Sequence, residues 1–204
     1  MVERKSHSSY THRMKKSIIA AILFTLSLVA ISPCQTKKSA DISTVAAAGA
    51  VAGNRYTNSY FKLTVDAPNA TLALNPLVNT AGERARLLNV QSKQTEWDDT
   101  YTFAVLSDML TKYPQLQSPA HYVQSVRHQL EKQGLPTVRE EFPVKFAGVE
   151  FTGAVLQVQE PSGRMHYRGM YSTFRNGYIL SFDVEAASEA KLSSVAARLV
   201  NFTN

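Results

Sequence analysis

The dipeptide Asn176-Gly177 stands between two runs of strand-forming residues, Met165–Arg175 and Tyr178–Glu185. A two-residue loop of this composition is a type I′ turn, which needs positive φ at both positions; asparagine and glycine accept it. The pair fixes an antiparallel hairpin and its register: Arg175 faces Tyr178, Thr173 faces Leu180, Tyr171 faces Phe182 and Gly169 faces Val184. Tyr171, Leu180, Phe182 and Val184 then share one face, the expected core. A four-residue loop at Pro161–Arg164 would join the preceding strand, Val149–Gln159, and add Ala154, Leu156 and Val158 to that face. The opposite face then carries Phe151, Val155, Phe174 and Ile179 toward one end. Toward the other end it carries a polar patch, Gln157, His166, Arg168, Asp183 and Glu185, with Arg168 opposite Glu185.

Other strands follow from alternation. Phe61, Leu63 and Val65 alternate with Lys62, Thr64 and Asp66, and Ala67-Pro68-Asn69 ends the run. Thr71–Leu74, stopped by Pro76, gives a short strand; Arg86–Gln91, Tyr101–Leu110 and Phe142–Lys145 give more, and Tyr101–Leu110 can turn helical after Ser107. Ser118 and Pro119 form a helix start, Tyr122, Val123, Val126 and Leu130 its apolar stripe, and Gly134 its end. A final helix is expected from Ser188, as cap, to Phe202, burying Leu192, Val195, Ala196 and Leu199. The expected class is α+β, an antiparallel sheet meander flanked by helices. A chain of 204 residues holds one such domain, placed at residues 59–204.

The N-terminal part reads as an address. Arg13, Lys15 and Lys16 precede an apolar run, Ile18–Ile31, in the manner of a secretory signal and too short for a comfortable span. Met14 reads as the true start of that signal, residues 1–33. The single cysteine, Cys34, ends the run in Ile31-Ser32-Pro33-Cys34. This resembles the bacterial lipobox, whose cysteine is lipidated; Pro33 departs from it, because Gly, Ala or Ser usually stands there. Ordinary cleavage after Cys34, giving a freely secreted protein, and retention of the run as an anchor also fit. Residues 35–58, rich in alanine, read as a flexible tether, with a short helix through Ala46-Ala47-Ala48 as the alternative.

The formal net charge of +6 belongs to these segments. Residues 1–33 contribute +4 and residues 35–58 contribute +2; from residue 59 onward 14 basic and 14 acidic residues balance. The charge therefore gives no support to a nucleic-acid partner.

Tyr56-Thr57-Asn58-Ser59-Tyr60-Phe61-Lys62-Leu63, leading to Pro68, and the later Gly153, Tyr167-Arg168, Tyr171 and Gly177-Tyr178 resemble the PsbP-like superfamily. The tryptophan that family carries after the first proline is replaced here by Asn69-Ala70-Thr71. The resemblance implies an antiparallel sheet sandwiched by helices and a binding or assembly role, and it implies no catalytic residue.

Candidates for chemistry are few. His121 and His128 are seven residues apart on one helix, too far along the axis to share a metal ion. Asp98-Asp99 and Glu140-Glu141 read as solvated loop pairs, and Trp97 as either a core anchor or a contact surface. No nucleophile elbow, Walker A or dinucleotide fingerprint occurs. The expected function is therefore a non-enzymatic cell-envelope lipoprotein that binds, or helps assemble, another envelope protein or a small ligand. The membrane would be its partner through the lipid anchor on Cys34. No cofactor or metal is expected. The alternative is an envelope hydrolase or ligand-binding enzyme using the patch around His166, Arg168, Asp183 and Glu185.

Overall fold

The computed structural model describes residues 41–74, 77–79 and 81–203. The signal-peptide reading, the lipobox-like sequence with Cys34, and tether residues 35–40 lie outside the described residues. In chain order the first elements are α1 (Ile42–Ala47), β1 (Gly49–Ala52), β2 (Arg55–Asn58), β3 (Leu63–Asp66), β4 (Ala70–Ala73) and β5 (Leu77–Val78). Then come β6 (Arg84–Ser92), β7 (Tyr101–Met109), α2 (Pro119–Lys132) and β8 (Thr137–Phe146). The chain closes with β9 (Val149–Gln159), β10 (Met165–Arg175), β11 (Tyr178–Ala186), α3 (Glu189–Leu199) and β12 (Val200–Phe202). No helix among the described residues is long and apolar enough to cross a membrane.

The class is α+β, as the sequence indicates. The large sheet runs β4-β6-β7-β11-β10-β9-β8, with β5 paired to β6, and every pairing is antiparallel. A second antiparallel sheet runs β1-β2-β3-β12. The hairpin at Asn176-Gly177 forms in the expected register, from Arg175 opposite Tyr178 to Gly169 opposite Val184. Both turn residues have positive φ, 53° and 84°, as the type I′ geometry requires.

The inner face of the large sheet is the main core. Phe103, Val105, Leu180, Phe182 and Val184 meet Leu192, Val195, Ala196 and Leu199 of α3 and the apolar side of the small sheet. Phe151 stacks on Phe182 at 4.9 Å and Phe146 meets Tyr171 edge-on at 5.1 Å, contacts worth about 0.5–1.5 kcal/mol each beyond burial. Tyr171 lies so close over Gly153 and Gly169 that a Cβ at either would stand 2.7 Å from it, from the ring at Gly153 and from the hydroxyl at Gly169.

The structure corrects the sequence reading in four places. First, the described part of the expected tether, residues 41–58, is built into the fold. Ile42, Val45 and Tyr56 are buried in the main core. Asn58 acts as a clasp: its amide donates to the Val45 carbonyl at 3.0 Å and the Tyr56 hydroxyl at 3.1 Å, and its oxygen accepts from the Phe61 N–H at 3.2 Å. The domain therefore begins N-terminal to residue 59, and the short helix ends within the alanines. Second, Phe61 keeps its buried side chain but sits in a turn, with Lys62 at φ 51°, so the strand begins at Leu63.

Third, the last helix ends at Leu199. Val200–Phe202 extend and pair with Leu63–Val65, satisfying an edge that a longer helix would leave open. Ser188 occupies the cap position without a side-chain bond, whereas Ser118 does accept from the His121 N–H at 3.3 Å.

Fourth, the loop between β9 and β10 is one residue shorter than expected. Glu160 N–H bonds the Arg164 carbonyl at 2.9 Å, closing a three-residue loop with Gly163 at φ 82°. A one-residue shift of register exchanges the two faces of a strand. Phe151, Gly153, Val155 and Gln157 therefore share the inner face with Tyr171, and Ala154, Leu156 and Val158 turn outward.

Candidate functional site: an open groove on the outer sheet face

Helix α2 covers only part of the outer face. Its Tyr122 and Val123 pack on Ala154, Leu156, Met170 and Ile179 as a second, smaller core. Beyond the helix, the outward side chains of β4, β6, β7, β11 and β10 line a polar groove. It consists of three adjoining hollows of about 170, 440 and 280 Å³. Arg86, Arg168 and Asp183 line both of the first two, and Gln91, Thr102 and Glu185 both of the last two.

At the helix end, Asp108 is fully buried and accepts from Arg84 Nε at 2.5 Å, the Tyr122 hydroxyl at 3.0 Å and the Tyr113 hydroxyl at 3.3 Å. Burial pushes both phenols up from their ordinary range, and the neighbouring carboxylate pushes them further. Burial works against the Arg84 charge, but Asp108 prevails and holds the guanidinium above its ordinary value. In the middle, Arg168 grips Asp183 through Nε at 2.8 Å and Nη2 at 2.5 Å. Here too burial opposes the cation and Asp183 outweighs it, raising Arg168. Arg86, exposed beside this pair, has no ion-pair partner among the described residues.

The third hollow lies where the β6–β7, β9–β10 and β11–α3 connections meet. Trp97, in a short 3-10 turn, forms one wall. His166 presents its ring edge-on to it, centroids 6.3 Å apart, and the Arg164 guanidinium lies 5.3 Å from the indole centroid. Glu160 stands 3.8 Å from His166 Nδ1 and Glu185 stands 4.0 Å from Nε2. Nδ1 is buried and has no hydrogen bond.

Helix α2, the groove's far wall, is tied to the sheet by Arg127. This nearly buried side chain bonds Glu141 of β8 at 2.7 Å and Glu131 of its own helix at 2.8 Å. Donation from the Thr137 hydroxyl holds Glu131 below the usual carboxylate range; burial opposes this, and Arg127 adds to the lowering. Burial works to raise Glu141, but the Arg127 bond and charge overcome it. Both folded values are depressed. The stability they contribute is therefore complete above the ordinary value of 4.5 and is lost as pH falls through the folded values. Arg127→Met is expected to cost about 1–3 kcal/mol near neutral pH and to converge on the native protein as the pH falls through the depressed values of the two carboxylates. Urea denaturation across a pH series checks this; an equal loss at both extremes would assign the effect to packing alone.

No protein-family model matches this chain, and no curated protein matches it. Solved structures similar to it at low identity include the following two. One, from Bacteroides thetaiotaomicron VPI-5482, aligns at 9% identity with a TM-score of 0.42 over 76% of this chain. The match spans half the length of that structure, 50%. The other is LpqN, involved in cell envelope biogenesis of Mycobacterium tuberculosis, at 10% identity and a TM-score of 0.39 over 67% of this chain and 87% of its own. Geometric likeness this loose carries no statement of role.

The structure brings four of the five expected patch residues to the groove: His166, Arg168, Asp183 and Glu185 line it. Gln157 does not join them, because the shifted register turns it to the inner side beside Tyr167. Arg168 does stand opposite Glu185 in the ladder, but its guanidinium reaches diagonally to Asp183. His166 therefore meets Glu160 and Glu185, while Asp183 has both oxygens engaged elsewhere. His121 and His128 are exposed on α2. Asp98 and Asp99 are exposed in the 3-10 turn, as expected, and Asp99 meets Lys191 at 3.0 Å. Glu140-Glu141 lie in β8, not in a loop, and Glu141 is a partner of Arg127.

Arg84, Arg86, Asp108, Tyr122 and Glu160 also line the groove; none is singled out in the sequence as a site residue, and Tyr122 reads there only as part of the apolar stripe of its helix. Asp108 offered a signal, since aspartate is depleted in strand interiors and here it closes an alternating run.

Proposed function

We propose that this chain is a non-enzymatic, envelope-anchored binding protein that holds an envelope component in the groove on the outer face of its large sheet. The open, polar part of that face carries the reading. It extends from the end of α2 outward, and two of its charged pairs, Arg84 with Asp108 and Arg168 with Asp183, are fixed in place. Asp183 has both oxygens on Arg168, and Asp108 serves three donors. Carboxylates engaged in this way hold the arginines and hydroxyls in place, and neither has an oxygen free to take a proton from a substrate. The basic segment before the apolar run and the lone Cys34 at its end support export and lipid anchoring. The PsbP-like resemblance supports a binding or assembly role.

A photo-crosslinking side chain at Arg86 in intact cells tests this. Reproducible capture from Arg86 and none from Glu140, exposed on the far edge strand β8, is the expected result. Equal capture from both positions would remove the groove from the reading. Fatty-acid labelling that persists in Cys34→Ala would remove the lipid anchor.

A further inference from the structure

We infer that the hollow beside Trp97 is a receptor for a bulky alkylammonium group. The inference deepens the proposed function and rests on the groove being a binding surface. Glu160 and Glu185 flank the hollow. Among the described residues neither has a lysine or arginine within ion-pair distance; each has a hydroxyl and His166 beside it, and Arg168, across the ladder from Glu185, attracts it only from beyond that distance because its guanidinium is taken up by Asp183. An anion would meet the two carboxylates there, and a neutral guest would leave neither of them with an ion pair to lysine or arginine. The two acids lie on opposite ring nitrogens of His166, so the imidazole stands between them and they do not converge on one point. No three ligating side chains among the described residues form a metal-binding group. Flanking carboxylates beside an indole suit a cation that is large and weakly hydrated.

A second, independent observation points the same way. The indole already attracts a cation, since the Arg164 guanidinium lies 5.3 Å from its centroid. Arg164 belongs to the loop end that also supplies Glu160, so it is placed to compete with an incoming ammonium group. The hollow, about 280 Å³, lies near the lower end of small-molecule sites, in keeping with a headgroup-sized guest.

Trp97 is the only tryptophan in the chain, so its emission reports on this hollow alone. The full chain is titrated with choline and with the neutral isostere in which carbon replaces the quaternary nitrogen. Saturable change with choline is expected, with binding at least about tenfold weaker in Glu185→Gln. Arg164→Gln should tighten binding by about threefold, because it removes the competing cation. That gain keeps the test open if Glu185→Gln disturbs folding, since a damaged site cannot bind more tightly. Co-sedimentation with phosphatidylcholine vesicles, lost in Glu185→Gln, would assign the ammonium to a lipid headgroup. Choline binding without vesicle binding would assign it to a free amine. Equal response to the neutral isostere, or no saturable response, overturns the inference. Capture at Arg86 alongside either of those results would leave the proposed function standing.

Discussion

A chain that begins at Ser59 is expected to lose cooperative folding, whereas one that begins at Asp41 is expected to unfold in a single cooperative transition. The shorter chain lacks Ile42, Val45 and Tyr56, all fully or almost fully buried in the main core. Burial of side chains this size contributes about 1.5–3 kcal/mol each, so the three together reach about 5–9 kcal/mol. That matches the whole net stability of a typical domain, about 5–15 kcal/mol. The loss does not stop there. Without β2, one edge of β3 has no partner, and the Asn58 clasp to Val45, Tyr56 and Phe61 is gone. The turn that seats Phe61 under Tyr178 would then lack its anchor. Urea denaturation followed by near-ultraviolet circular dichroism reads the outcome. A midpoint in the Ser59 chain equal to that of the full chain would show that residues 41–58 are an appendage.

The same segment shows why part of the fold was hidden in the sequence. Its strands are four residues each, and its alanines and glycines carry no visible period. Its stability comes from β3 and the distant core, which no local pattern reports. Asn176-Gly177 is the opposite case, because the turn's own chemistry sets the register of everything beside it. The Pro161–Gly163 loop lies between the two. Its residues announce a turn, but counting three or four residues in it decides which face of β9 is buried, and composition does not distinguish the two. The site divides in the same way. His166, Arg168, Asp183 and Glu185 were legible together because one hairpin carries them. Trp97, Arg86, Asp108 and Glu160 reach the groove from other strands and loops, brought there by tertiary folding. Of the residues that carried the family resemblance, Arg168 lines the groove, whereas Tyr56 and Asn58 prove to be packing and clasp residues outside it.

Arg84→Met is expected to destabilise the domain by about 3 kcal/mol, and adding Asp108→Asn is expected to restore part of that loss. The two partners are unequal. Arg84 is 45% exposed along its side chain, while Asp108 is 1% exposed. Removing the cation therefore leaves a carboxylate sealed in the protein with only the Tyr113 and Tyr122 hydroxyls against it. Two neutral donors do not replace a guanidinium, and a buried unpaired charge is costly. Asparagine at position 108 removes that charge and keeps an oxygen for the hydroxyls, so a second substitution should repair the first. Asp108→Asn alone should cost less than Arg84→Met alone, since the half-exposed arginine it leaves behind can return to water. A cycle of the two single variants and the double variant, measured by urea denaturation, gives the coupling directly. Coupling of more than about 1 kcal/mol in the restoring direction is expected. Simple addition of the two losses would show that Asp108 is held by its tyrosines and that the arginine is incidental. The same cycle bears on the groove, because Tyr122 reaches Asp108 from α2. If the pair is what seats that hydroxyl, Arg84→Met should also speed amide exchange along residues 119–132, while the β10–β11 hairpin, held by its own turn, keeps its protection.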